Sequence, residues 1–265
     1  MATAAMTGWD MAPPAHAYAL DFDGVLVDSA DETGYSAFRA TKRLWPDIFL
    51  PDLQPEDIIS RFRKLRPVIE TGYENILLMR LMMEGVDDSK ILSSFRKLKV
   101  ELLARLNVPK DELIQRFGRE RDLWIEEDPA TWIAINRFFP GTVDAVNFSS
   151  SPVFVITTKQ RRFCTLLLSS AGVTLPDEHI FAVPTGLEKA EIIQQLMQRD
   201  DCQGRTFHFV EDRLDTLEAV ASVPGMKNVR LYLARWGYNT KEERDRALET
   251  PNVRLLDLGD FVKMQ

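Results

Sequence analysis

Two aspartates two residues apart, Asp21 and Asp23, follow a short apolar run, Ala17-Tyr18-Ala19-Leu20, and lead into Gly24. A carboxylate so placed is a candidate nucleophile: it can attack phosphorus to form an acyl-phosphate, and a second carboxylate beside it can act as general acid and base. Two anions must first be brought together, which calls for a divalent cation nearby. The run before Asp21 is too short for a helix and suits a buried strand, and Gly24 allows a sharp turn after it. In open α/β sheets, ligand sites lie beyond the carboxyl ends of such strands. Period-two alternation would aim both aspartates at one face, whereas a turn at Gly24 can send Asp23 elsewhere, so its direction stays open. The bare string Asp-x-Asp-Gly also serves plain turns, in which Asp and Gly supply only geometry.

The elements that would position this pair fall into two blocks. From Ser29 to about Phe138 the pattern is helical, without a convincing strand. Ile91, Phe95, Leu98, Leu102 and Leu106 recur at helical spacing with Lys97, Lys99 and Glu101 between them, which predicts an amphipathic packing helix. Pro46, Pro51, Pro55, Pro67, Pro109 and Pro129 punctuate the region at helix starts or breaks, and four to six helices are expected. Met79, Met82 and Met83 read as core, with an adaptable pocket wall as the alternative.

After Pro140-Gly141 strand and helix alternate. Strands are expected at Val153 to Ile156, Ile180 to Val183, Phe207 to Val210, Val229 to Leu233 and Val253 to Leu256. Helices are expected from Arg162 to Ala171, Glu188 to Gln198 and Leu214 to Ala221. Such alternation implies a parallel sheet covered on both faces with right-handed crossovers. The fold class is therefore α/β, a doubly wound, Rossmann-like parallel sheet whose first and second core strands are separated by an all-helical insertion. Residues 1–28 and 139–265 would form the core domain and residues 29–138 the helical one.

Bulk properties exclude several rivals. The 265 residues suit one core plus an inserted module, and 45% hydrophobic residues are enough to fill it. A net charge of -7 opposes the basic field of a general nucleic-acid binder. Cys164 and Cys202 lie far apart without metal-ligand spacing, so neither a disulfide framework nor a zinc site is expected, and a reducing, cytoplasmic compartment fits. No apolar run reaches membrane-spanning length, and Met1-Ala2-Thr3-Ala4-Ala5 lacks the regions of a signal peptide. An organelle such as a plastid, reached by a transit peptide since removed, also fits.

Asp21-Phe22-Asp23-Gly24-Val25-Leu26-Val27-Asp28-Ser29 resembles the first motif of the haloacid dehalogenase-like (HAD) hydrolase superfamily in its phosphatase form. The resemblance implies that Asp21 is the nucleophile and Asp23 the general acid and base, with the Asp23 carbonyl also binding magnesium and Gly24 near the phosphate. Members that cleave carbon–halogen bonds usually lack the second aspartate, so Asp23 argues for phosphoryl chemistry. The resemblance also implies that the helical insertion is a C1 cap.

Three further motifs follow in order. Ile156-Thr157-Thr158-Lys159, ending the second core strand, is similar to the second motif, which makes Thr157 the hydroxyl that holds the phosphoryl and places Thr158 and Lys159 near substrate. Lys189, at a helix start in Gly186-Leu187-Glu188-Lys189-Ala190, resembles the third-motif lysine, a point cation that offsets Asp21 and the phosphoryl group together, with Lys159 as substitute. Phe209-Val210-Glu211-Asp212-Arg213-Leu214-Asp215 resembles the fourth, which makes Asp212 a metal ligand. The chain departs from the pattern there: Glu211 replaces a small residue, and the next acid, Asp215, comes after only two residues. Asp215 is the expected second acid, with Glu211 as substitute; either could instead cap the following helix. Oxygen donors from Asp21, Asp23, Asp212 and Asp215, completed by phosphate and water, suit magnesium.

These residues imply a Mg2+-dependent phosphomonoester hydrolase acting through an aspartyl-phosphate on a small metabolite, phosphoglycolate-like or a sugar phosphate, as a monomer or homodimer without nucleic-acid or membrane partners. A phosphomutase or phosphotransferase uses the same carboxylates, and a catalytically impaired binding protein is the other alternative. Specificity must come from the cap. There Arg61, Arg63, Lys64 and Arg66 read as a solvated helix face, with a grip on a second anionic group as the alternative. His208 reads as a core residue and His16 and His179 share no spacing with it, while Trp124, Trp132 and Trp236 read as packing anchors.

Overall fold

The computed structural model describes residues 16–50 and 53–264. Pro51 and the N-terminal Met1-Ala5 stretch lie outside the described residues.

The chain enters on strand β1 (His16–Leu20), the centre of a six-stranded sheet. The other strands are β4 (Val153–Gln160), β5 (Ile180–Val183), β6 (Thr206–Glu211), β7 (Arg230–Ala234) and β8 (Val253–Leu256), in the order β5-β4-β1-β6-β7-β8 with every pairing parallel. Alternate side chains supply two cores. Tyr18, Leu20, Val155 and Val210 face one layer, completed by α7 (Thr142–Asn147), α8 (Arg161–Ser170) and α12 (Leu258–Met264) through Ala145, Phe163, Leu167 and Phe261. Ala17, Ala19, Phe154, Ile156, Phe207 and Phe209 face the other, under α9 (Lys189–Met197), α10 (Leu214–Ser222) and α11 (Lys241–Glu249). Burial on both faces is why these strands read as continuous apolar runs.

Between β1 and β4 the chain leaves the sheet through α1 (Ala30–Leu44), α2 (Pro55–Leu65), α3 (Glu74–Met83), α4 (Asp88–Leu106), α5 (Lys110–Glu127) and α6 (Pro129–Ile135). These helices enclose their own apolar cluster, in which Met79 and Met82 are buried and Ile91, Phe95, Leu98 and Leu102 form the inner stripe of α4. Pro55 and Pro129 occupy first-turn positions and Pro109 the N-cap of α5, where a missing N–H costs nothing. Trp124 and Trp132 tie the last two helices to the sheet's own core.

Both ends of the helical block are joined by an element with no sequence signal. Val27–Asp28 (β2) pairs antiparallel with Arg137–Phe138 (β3), and the Phe139 N–H donates to the Leu26 carbonyl at 2.9 Å. Two residues per strand are too few to show alternation. The second core strand also runs on past Ile156 to Gln160, with a register irregularity between Thr157 and Gln160, so Thr157 and Thr158 lie within a bulged strand end and not in a turn after it. No described helix is long and apolar enough to cross a membrane.

Candidate active site

Asp21 leaves β1 with its N–H donating to the Val210 carbonyl of β6 at 2.9 Å, so the nucleophile candidate is fixed by the strand beside it. Phe22, fully buried, then points into the core. The chain turns at once: Leu26 and Val27 N–H groups donate to the Phe22 carbonyl and the Gly24 N–H to that of Val27 at 2.8 Å. Gly24 adopts φ +88°, and a Cβ there would stand 2.1 Å from Asp212 Oδ2. The glycine is required by that close approach; its amide is spent within the turn, which does not fit the phosphate-contacting role expected of it. The turn settles the direction of Asp23, whose side chain lines the same cavity as Asp21 and accepts from Lys159 Nζ at 3.0 Å.

Glu188 and Glu191 form a capping box at the start of α9, which places Lys189 in its first turn. Its Nζ donates to Asp21 Oδ1 and to Glu211 Oε2, both at 2.7 Å. Glu211 ends β6, and its other oxygen accepts the N–H groups of Asp212 and Arg213 at 3.1 and 3.2 Å. Asp212 Oδ2 accepts the Tyr238 N–H at 2.7 Å, and Gly237 packs so closely that a Cβ there would meet Asp212 Cβ at 2.3 Å. Thr157 is buried beside the carboxylates, its hydroxyl oxygen accepting the Lys159 N–H at 3.1 Å. Thr158 also lines the cavity, but its hydroxyl donates to the Glu70 carbonyl of the helical block at 3.3 Å.

Asp215 does not join the group as expected. It sits in the first turn of α10, where its oxygens accept from Arg96 at 2.8 Å and Arg246 at 2.7 Å. The acid that joins is Glu211: carboxylate oxygens of Asp21, Glu211 and Asp212 lie within 4.8 Å of one another, all three residues buried. Burial and then the Glu211 charge push Asp21 up to about 7, against the pull of Lys189; burial, Glu211 and Asp21 hold Asp212 well above the carboxylate range. For Glu211 burial acts in the same sense, but Lys189 and the Asp212 hydrogen bond outweigh it and keep it low. Asp23 likewise stays below its ordinary value despite burial, chiefly through Lys159, with Arg121 and Arg66 adding to it.

These groups open into a cavity of about 190 Å³ whose far wall comes from the helical block. There the basic cluster divides. Arg61 is consumed by Asp88 and the Met82 and Val86 carbonyls, and Arg63 by Asp28 and Asp31, so those two are structural. Arg66 is no solvated face residue: it is 8% exposed, stacks 4.4 Å over the Tyr238 ring and lines the cavity. Its position after α2 in a 3-10 turn, Arg66–Val68, carries no sequence signal beyond the Arg-Pro step that ends the helix. Tyr238, whose hydroxyl donates to Asp28 at 2.9 Å, had no signal at all. Arg213 spans to the helical block, donating to the Pro67 and Ile69 carbonyls at 2.9 and 2.7 Å and to Glu70 at 3.1 Å.

The donor set suits a hard divalent cation. Asp21, Asp23, Glu211 and Asp212 have Lys159, Lys189 and Arg66 as close cations, with Arg213 also acting on Glu211, while Glu32 and Arg121 form a bidentate pair at 2.8 Å. All the ligand atoms offered are carboxylate oxygens, the donors that a hard divalent cation takes.

No family model matches the sequence, and no curated protein does. Solved structures do. A haloacid dehalogenase-like family hydrolase from Streptococcus pneumoniae superposes with TM-score 0.56 at 15% identity over 94% of this chain and 98% of that one. A structure described as a predicted phosphoglycolate phosphatase from Haemophilus somnus gives 0.58 at 16% over 94% and 96%. One described as a predicted phosphatase from Clostridium acetobutylicum gives 0.54 at 16% over 94% and 97%. The fold is that of the haloacid dehalogenase-like hydrolases. Within that fold, the sequence residues Asp21, Asp23, Thr157, Thr158 and Asp212 all reach one cavity, and Lys189 reaches it through Asp21. His208 lies at the far end of the sheet, bonded to His16 and Tyr232.

Proposed function

We propose that this chain is a magnesium-dependent phosphomonoester hydrolase, with residues 1–28 and 139–265 as its catalytic core and 29–138 as a cap that admits a small phosphorylated metabolite. The observation that carries this is the buried Asp21 carboxylate at a strand end, held 2.7 Å from Lys189, with Asp23 on the same cavity. That several solved structures of this fold are described as phosphatases supports it.

Asp21, Asp212 and Glu211 would hold the metal with the Asp23 carbonyl. When bound, the ion would offset the repulsion between the Asp21 carboxylate and the phosphoryl oxygens. An Asp21 oxygen attacks phosphorus in line, the bond to the leaving alcohol breaks, and Asp23 gives that oxygen its proton. The resting Asp23 is ionised beside Lys159; an entering phosphate dianion raises its proton affinity, so it takes up from solvent the proton that it then gives to the leaving oxygen. In the second half Asp23 takes a proton from water as the water oxygen attacks phosphorus and the Asp21 acyl-phosphate bond breaks. Lys189 and the Thr157 hydroxyl hold the phosphoryl oxygens in both halves, so positioning and charge neutralisation lower the barrier. The free thiols of Cys164 and Cys202, both buried, suit a reducing intracellular compartment.

The test is Asp21→Asn, assayed for phosphate release from a phosphomonoester panel with magnesium and with chelator. Loss of turnover with an unchanged unfolding curve is expected. Magnesium-dependent release at the wild-type rate from that variant would refute the assignment.

A further inference from the structure

Building on the phosphatase reading, we propose that the substrate is the phosphate ester of a small polyhydroxylated alcohol, a sugar or polyol, and that Asn75 and Gln160 select it through its free hydroxyls.

Buried polar atoms of residues lining the cavity have no partner among the described residues: Arg66 Nε, Thr71 Oγ1 and Asn75 Oδ1 from the helical block, and Gln160 Oε1 and Arg213 Nε from the core. Buried polar atoms are nearly always bonded, and leaving one unmet costs its desolvation, so a cluster on one cavity marks where a ligand supplies the missing partners. Asn75 is 2% exposed, and its Nδ2 is committed to the Gly72 carbonyl at 2.8 Å, so the free atom is its oxygen, an acceptor. Gln160 also leaves an oxygen unmet. Gly118 makes room for that side chain, since a Cβ there would stand 2.9 Å from Gln160 Oε1.

Two unmet acceptors require hydrogen-bond donors on the substrate. The non-phosphate part of a glycolate ester offers only carboxylate oxygens, which accept, and would leave both amide oxygens bare. An ammonium could donate, but Arg66 and Lys110 line the same part of the cavity and disfavour a cation there. Hydroxyl groups donate to Asn75 and Gln160 and accept from Arg66 Nε–H, while the Thr71 hydroxyl does either. A volume of about 190 Å³ falls below the usual range of drug-sized pockets and restricts the alcohol to a small one.

The experiment compares kcat/KM for glycerol 3-phosphate, erythrose 4-phosphate and ribose 5-phosphate with that for 2-phosphoglycolate, ethyl phosphate and propyl phosphate. It uses the full chain with magnesium, as wild type, Asn75→Leu and Gln160→Met. At least one hydroxylated ester should exceed every hydroxyl-free one by about tenfold, and each variant should lower that ratio by about tenfold or more. The ratio, unlike the absolute rate, does not move when a substitution merely loosens the fold, and Gln160→Met serves if Asn75→Leu does not fold. Hydroxyl-free esters turned over as fast, or a ratio unchanged in the variants, would overturn the proposal and leave the phosphatase reading standing. Absence of phosphate release from every ester would overturn both.

Discussion

Replacing Lys189 by Met removes the ammonium that stands 2.7 Å from both Asp21 and Glu211 and leaves Asp21, Glu211 and Asp212 mutually exposed in a buried pocket. Breaking one partner out of a buried ion pair costs about 3–5 kcal/mol, because the remaining charge stays desolvated and unpaired. The cost depends on pH. Asp21, already pushed up to about 7 by burial and Glu211, rises further without Lys189. A carboxyl raised in the folded state is penalised once pH exceeds its unfolded value, and the penalty grows until pH passes the folded one. Urea unfolding in chelator should therefore show a large deficit at pH 8 and a clearly smaller one at pH 5.5, where Asp21 holds a proton. Magnesium at pH 8 should restore part of the loss, and phosphate release should fall by about 10²–10³-fold, as when one preorganised donor is removed from a developing charge. A variant within about 1 kcal/mol of wild type at pH 8 and within tenfold in turnover would refute the reasoning and make Lys189 a spectator.

Three other outcomes are expected. Gly24→Ala, forcing a Cβ to 2.1 Å from Asp212 Oδ2 at φ +88°, should cost about 2 kcal/mol or more in urea unfolding and lower turnover about 10²-fold by displacing Asp212. Arg213→Met, which removes the bonds to Pro67, Ile69 and Glu70, should raise KM about tenfold and speed proteolysis within residues 29–138. His208, brought down to about 4 by burial and then by His16, is neutral when folded. Its contribution is complete above the unfolded value of about 6.5 and lost as pH falls toward 4; the displacement equals about 3 kcal/mol, reduced to about 1–2 by solvent screening. His208→Phe should flatten the acid limb of thermal unfolding between pH 6.5 and 4.

What the sequence disclosed follows burial. Val153–Ile156 was legible as a strand because a sheet covered on both faces needs an unbroken apolar run. Helix α11 was not, since Ala247 is its one buried residue, although Thr240 and Glu243 form a capping box that would have located it. In the site, Asp21, Thr157 and Asp212 could be found because each belongs to the end of a core strand, in chain order. Arg66 and Asn75 could not: whether an arginine after α2 faces solvent or a cavity depends on how the helical block lies over the sheet, which no local spacing encodes. Asp215 misled for the opposite reason. It has the right chemistry near the right strand, but the first turn of α10 rotates it toward Arg96 and Arg246.

Glu211 shows how the departure in the fourth motif fits the chemistry. A small residue there would leave Lys189 paired with Asp21 alone, and an unshared ammonium at 2.7 Å would lower the basicity of that carboxylate further. Glu211 takes a second bond from the same ammonium, so the charge is shared and Asp21 remains a stronger base. Its other oxygen gathers the N–H groups of Asp212, a member of the same buried carboxylate cluster, and of Arg213, which reaches the Pro67 and Ile69 carbonyls. Asp21→Asn and Glu211→Gln should therefore differ in kind. The first replaces the proposed nucleophilic carboxylate by a neutral amide and should abolish turnover. The second keeps it but frees Lys189 to pair with Asp21 alone, so kcat should fall while a raised KM reports the loosened Arg213, and an unchanged KM would separate Glu211 from closure of the helical block.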